Sequence, residues 1–212
     1  MRLRRHLATP AAEGQPAPEP ASNGQPLPIV SAFLAGETPW RLPVFAAIAV
    51  GLIVGAGIRF HDISQTAVVA VYVAVLVACA ATDLATFRVL NLITYPAILF
   101  ALLVGALMPG TDFPEAIAGG ALAGGLMLLA LIISRGAMGL GDVKLALFSG
   151  LLLGWPLAET ALILTALAGG AAAVLLLVFG IKGRKDPIPY APFISAATLA
   201  VILWQGTVFQ RF

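Results

Sequence analysis

The sequence predicts an all-α, polytopic membrane protein with about seven transmembrane helices, and three observations carry that expectation. Of 212 residues, 60% are hydrophobic and 10% charged, with a mean hydropathy of +0.99, more apolar material than a domain in water can bury. The apolar residues gather into seven runs, and about 20 such residues in a helix span the roughly 30 Å hydrocarbon layer. The basic residues fall almost entirely in alternate connections between those runs, as the bias of Lys and Arg toward cytoplasmic loops requires.

Residues 1–40 stand apart. They hold seven of the fifteen prolines amid Ala, Glu, Gln, Ser and Gly, a composition that cannot bury a core, so a disordered, Pro-rich cytoplasmic tail is expected. Its start, "MRLRRH", resembles the basic region of a signal peptide, but no apolar stretch follows until about residue 42. Cleavage is therefore not expected, and the first membrane helix directs insertion.

The membrane domain, 41–212, is read as helices over about 42–59, 66–84, 92–108, 115–134, 142–156, 158–181 and 189–206. The fifth is short, and "LLLGWPLAET" blurs its boundary with the sixth. With the N-terminus inside, Arg2, Arg4, Arg5, Arg41, Arg88, Arg135, Lys144, Lys182, Arg184 and Lys185 lie on the cytoplasmic side, and only Arg59 and Arg211 lie outside. The opposite loops then hold Asp62, Asp112, Glu115 and Glu159, and the C-terminus is periplasmic. Gly51 with Gly55, and Gly120 with Gly124, have the small-residue spacing that lets membrane helices approach closely.

Composition also excludes several classes. The pI near 9.0 reflects loop charges that topology explains, so no nucleic acid is expected as a partner. The single cysteine, Cys79, forms no intrachain disulfide and no paired-cysteine zinc site, and no cofactor or metal is expected. His6 in the tail and His61 in an opposite loop offer no support to a Cys or Ser nucleophile.

Two carboxylates remain. Asp83, in "ACAATDLATFRVLN", ends the second helix, and Asp142, in "GLGDVK", begins the fifth, which puts both at one membrane face. Either alone is compatible with a cap or an ion pair, but an Asp near a helix centre costs on the order of 3 kcal/mol in membrane insertion. Two neighbouring carboxylates cannot both ionise readily, so one keeps a proton as general acid while the other acts as general base. That is the chemistry of aspartic peptide hydrolysis. Gly139 and Gly141 leave clearance for a substrate backbone or form an ordinary Gly-rich turn. Helix polarity predicts that Asp142, at a helix N-terminus, is the resting carboxylate and Asp83, near a C-terminus, the protonated partner.

These residues resemble the prepilin peptidases, the type IV leader peptidase family of GxGD aspartic intramembrane proteases. "TDLATFRVLNLITYP", with Asp83, Arg88 and Asn91, is similar to their first aspartate motif, "GLGDVKL" to their second, and "PIPYAPFISA" to the segment that opens a late helix. The resemblance covers about 66–206 and implies a six-helix peptidase core preceded here by one extra helix. It further implies removal of the short basic leader of prepilins or pseudopilins after a glycine, at the cytoplasmic face of the bacterial inner membrane, with Asp83 and Asp142 as the catalytic pair. Lacking paired cysteines and the length for a methyltransferase region, the chain looks like the compact Tad/Cpa-type enzymes of Flp pilus systems.

Among the supporting residues, Arg88 and Lys144 either stabilise the ionised aspartate or oxyanion or mark the cytoplasmic boundary. Asn91 caps the third helix or holds substrate, Pro189 sets the entry to the last helix, and Tyr190 lines the substrate path. Two other readings compete. Presenilin-like and signal-peptide-peptidase-like proteases share Gly-x-Gly-Asp, but no Pro-Ala-Leu motif follows here and no Tyr precedes Asp83. A proton-coupled transporter also uses intramembrane carboxylates, though near the midplane and between repeated halves.

Overall fold

The protein is seen in a computed structural model that describes residues 41–59, 62–134, 138–180 and 188–207. The predicted tail and the basic positions Arg135, Lys182, Arg184, Lys185 and Arg211 lie outside the described residues, as does His61. Seven helices account for nearly all of what is described: α1 (Arg41–Arg59), α2 (Ile63–Thr86), α3 (Asn91–Leu107), α4 (Phe113–Ile133), α5 (Leu140–Leu153), α6 (Leu157–Val178) and α7 (Ala191–Gln205). Each falls on one of the seven predicted runs. In lipid a spanning backbone must satisfy its polar groups within itself, so an apolar run that long has little choice but a helix.

Three helices, α2, α4 and α6, are long and apolar enough to cross a membrane, whereas the apolar helices at Pro43–Ile58, Asn91–Leu107 and Ala191–Gln205 are shorter. Side chains such as Leu99, Leu103 and Leu107 of α3 and Leu167, Val174 and Val178 of α6 are exposed. A surface this apolar suits acyl chains and would be a liability in water.

Local chemistry sets the ends. Asp62 precedes α2 and accepts from the Ser64 N–H at 3.1 Å, while Asp112 precedes α4 and accepts from the Glu115 N–H at 3.2 Å; each satisfies a donor with no partner inside the helix. The Ser64 hydroxyl and N–H hold the exposed Asp62 carboxyl below the ordinary carboxylate range. The blurred boundary after α5 resolves at Gly154, whose φ of 67° ends the helix before a cis Trp155–Pro156 bond. The Trp155 N–H then donates to the Glu115 carbonyl at 3.0 Å, joining that turn to α4.

The short helix α5 is the centre of the bundle. Leu145, Ala146 and the unbroken stretch Phe148–Leu153 are buried, and at 1.5 Å per residue its 14 residues measure only about 21 Å. Phe148 stacks on Tyr72 of α2 with ring centroids 5.1 Å apart, and Tyr72 meets Phe100 of α3 at 5.7 Å. Polar side chains bridge the helices as well: Ser149 bonds Thr198 of α7, and the Ser195 hydroxyl of α7 donates to the Leu76 carbonyl of α2 at 3.0 Å. Such bonds hold helices together where lipid supplies no hydrophobic drive.

The closest approach joins α4 to α5. A Cβ added to Gly119 would lie 2.6 Å from the Gly154 carbonyl carbon, and one added to Gly150 would collide with the Gly119 carbonyl. Gly120 and Gly124 serve the same interface, facing Leu151 at 2.8 Å and Leu147 at 3.2 Å. The other predicted pair does not behave this way. Gly51 has nothing within 4 Å of where a Cβ would stand, and Gly55 meets only Leu203 at 3.8 Å, because α1 lies at the rim with Ala56 its buried side chain.

This contrast is testable by thermal unfolding in detergent. Gly150→Ala forces apart two backbones that cannot yield and should cost about 1–3 kcal/mol, the range for overpacking. Gly51→Ala should be neutral or slightly stabilising, since Ala is the better helix former. Equal melting temperatures for the two variants would refute the close contact.

Candidate active site

The end of α2 and the starts of α3, α5 and α7 gather at one end of the bundle. There they enclose a cavity of about 350 Å³ whose lining includes Asp83, Arg88, Asn91, Gly139, Gly141, Asp142, Lys144, Pro189 and Tyr190. Every site residue singled out in the sequence therefore borders one space. Phe87, Val89, Leu140 and Ile188 complete the lining.

Asp83 is 4% exposed and Asp142 8%, and burying a carboxylate without partners is costly. Each finds a backbone donor at the start of a helix. Asp142 is the third residue of α5, and its Oδ2 accepts the N–H of Gly139, just ahead of that helix, at 3.4 Å. Asp83 lies in the last turn of α2 but reaches across to α7, where its Oδ2 accepts the Ala191 N–H at 3.0 Å. Both carboxylates thus face unsatisfied donors of a helix N-terminus. Helix polarity consequently does not separate them as the sequence alone suggests. The two lie within electrostatic reach of one another.

The connection from α2 to α3 makes this possible. Phe87 takes the left-handed conformation, φ 53°, and its N–H donates to the Asp83 carbonyl at 2.8 Å. That conformation is uncommon for a bulky residue, and it turns the chain abruptly so that Val89 comes down on α5. A Cβ on Gly141 would lie 2.7 Å from the Val89 Cβ. The clearance at Gly141 is therefore taken by the protein itself, which uses it to bring together the two aspartate-bearing segments. Gly139 is different: the nearest atoms to a Cβ there are the Asp142 carboxylate at 3.7 Å and the Gly141 nitrogen at 3.8 Å.

Lys144, two residues beyond Asp142, lines the cavity but pairs with neither aspartate. Its Nζ donates to Asn91 Oδ1 at 2.8 Å and to Tyr95 Oη at 2.9 Å and stands 4.3 Å from the Tyr95 ring centroid. Asn91 does not cap α3. The cap position is Leu90, without a side-chain bond, and the Asn91 amide is committed to Lys144. Arg88 is exposed, and among the described residues no ion pair joins it to Asp83. Tyr95 was assigned no role from the sequence, although its spacing of four from Asn91 puts both on one helical face. The Ala191 donor carries no side-chain signal at all, only Pro192 as the mark of a helix start.

Two buried carboxylates facing one cavity can share a proton and divide acid from base duties. Their place at a bundle end, not halfway along it, is also the wrong depth for the transporter reading. No other cluster in the described residues offers comparable chemistry.

Residues 70–203 match the Type IV leader peptidase family, a span that begins within α2 and leaves α1 outside. The chain is 29% identical over 171 residues to a prepilin leader peptidase/N-methyltransferase of Bacillus subtilis (strain 168), covering 78% of this chain and 67% of that protein. It is 29% identical over 140 residues to the protein of that name in Aeromonas hydrophila, with coverages of 63% and 48%, and 30% identical over 142 residues to one in Burkholderia pseudomallei (strain 1026b), with 64% and 45%. The chain thus spans two thirds of the first relative and under half of the other two. No solved structure matches it.

If Lys144 braces α3 against α5, Lys144→Met should lower stability by about 1 kcal/mol, the worth of partly exposed charged hydrogen bonds. Asn91→Ala in the Lys144→Met background should then add little. Additive losses in detergent unfolding would show that the two side chains do not act through one another.

Proposed function

The chain belongs to the type IV leader peptidase family, and we propose that it removes the basic leader from Flp-like type IV prepilins or pseudopilins, using Asp83 and Asp142, at the cytoplasmic face of a bacterial inner membrane. The observation that carries this reading is the pair of buried carboxylates, from separate helices, that border a single cavity at one bundle end. The relatives' printed names, the motif sequences and the loop charges all support it. The charge count is independent of the family and supports a cytoplasmic position for the cavity end, the side where such leaders reside.

In the proposed reaction one aspartate is ionised and draws a proton from a water as that oxygen attacks the scissile carbonyl carbon. The other, protonated, donates to the carbonyl oxygen, giving a neutral tetrahedral diol. As the intermediate collapses, the proton just taken up passes to the leaving nitrogen, the C–N bond breaks, and the second aspartate recovers its own. The products are a new carboxyl terminus on the leader and a free amine on the mature protein. Gly139 and Ala191 hold the two carboxylates in place through their N–H groups, and Lys144 keeps the α3 start against α5. Pro189 and Tyr190 form the wall beside Asp83.

Co-expression with a Flp-type prepilin, read by gel shift, tests this. Wild type should shorten the precursor, and Asp83→Asn and Asp142→Asn should each lose at least about 100-fold, the usual scale for a general acid or base. Near wild-type cleavage by either variant would remove the pair from the mechanism.

A further inference from the structure

Tyr190 touches two spaces. One is the aspartate cavity, and the other is an apolar groove of about 290 Å³ between α4 and α6, lined among others by Leu126, Met127, Ala130, Leu162 and Ala166. Its ring is a partition between them. Two contacts hold that partition. On the backbone side, the N–H of Ala191, the residue next to Tyr190, donates to the Asp83 carboxylate at 3.0 Å. On the ring side lies Gly169 of α6, a buried residue far from every motif. A Cβ on Gly169 would stand 2.8 Å from Tyr190 Cε2, 3.1 Å from Cζ and 3.2 Å from Oη, the first too close for two carbon atoms and the other two unusually tight. The ring occupies the room that the missing side chain leaves, and its phenol lies within electrostatic reach of Asp142.

We propose that Gly169 is a positioning residue for the aspartate pair: its bare α-carbon seats the Tyr190 ring, and Tyr190 in turn carries that placement to Asp83 through the start of α7. The proposal rests on the peptidase reading for its effect on cleavage, but not for the seat itself. Adding a methyl group at Gly169 pushes the ring toward the cavity or tilts the segment that holds Asp83. Either change misplaces reacting groups while leaving the aspartates chemically intact. Gly170 is the built-in control, because a Cβ there meets nothing within 4 Å and the substitution has the same effect on helix propensity.

Two measurements decide it. The chain has three tyrosines, so 3-fluorotyrosine labelling gives three fluorine resonances, and Tyr190→Phe identifies one of them. Gly169→Ala should shift that resonance and Gly170→Ala should not; an unmoved Tyr190 signal in Gly169→Ala overturns the seat whether or not the protein cleaves anything. In the prepilin assay Gly169→Ala should lower kcat by roughly 10- to 100-fold with KM little changed, as misplacement of reacting groups does, and Gly170→Ala should match wild type. In a Tyr190→Ala background, adding Gly169→Ala should change the rate by less than about twofold, because the partner through which it acts is gone. Independent, multiplying losses would overturn the proposal. A wild-type chain that cleaves no precursor would overturn the peptidase reading and the role in cleavage together, with the fluorine shift still deciding the seat.

Discussion

A carboxylate withdrawn from water in an apolar bundle needs hydrogen-bond donors, and the backbone supplies spare ones only at helix starts. Asp83 and Asp142 both meet that requirement, one at the start of α7 and the other at the start of its own helix α5. Much of the architecture at this end follows from it. The last turn of α2 must lie against the first residues of α7, and α5 must begin at the same level. The cavity is what these three helix ends enclose together with the start of α3.

Bringing helix ends that close takes small residues and tight turns at particular points. The left-handed Phe87 folds the chain back after α2, and Val89 then rests where Gly141 has no side chain. Lys144 spans from α5 to Asn91 and Tyr95 of α3. At the other side of α5 the Gly119 and Gly150 backbones touch, which fixes that helix against α4. The centre of the bundle is thus a short helix held on three sides: by glycine contact, by the aromatic stack of Phe148 on Tyr72, and by the Ser149 bond to Thr198.

The helices were legible in the sequence because an apolar run in lipid has one economical backbone solution, and their observed ends differ from the predicted ones by a few residues at most. The aspartates were legible because a charge costs so much amid Ala, Val and Leu that its presence demands a reason. What the sequence could not display were partners that have no side-chain signature. The Ala191 N–H belongs to a backbone, and the Val89 contact with Gly141 depends on a left-handed Phe, which nothing in "TFRVLN" announces. Glycine spacing proved a partial guide: Gly120 and Gly124 lie at an interface, Gly51 does not, and the tightest pair, Gly119 with Gly150, comes from two different helices and has no spacing to find. Lys144 shows the same limit, since a cation beside a catalytic candidate can be read as electrostatic help until its nitrogen is seen bonded elsewhere.

The stretch "GLGDVK" shows how far architecture accounts for such a motif. Gly139 donates to the carboxylate that follows it, Gly141 receives Val89, and Lys144 is engaged by α3. Each of these residues is occupied within the protein. Asp142 is not used up in the same way: an ionised carboxylate has about four acceptor sites, and the Gly139 N–H engages one oxygen from the protein side while the group borders the cavity. Asp83 likewise spends only part of its capacity on the start of α7. Elsewhere in the bundle Ser149 bonds Thr198 and Ser195 bonds the Leu76 carbonyl, whereas these two carboxylates keep acceptor capacity beside a shared space. That distinction between satisfied architecture and unspent chemistry separates the aspartates from the residues that hold them.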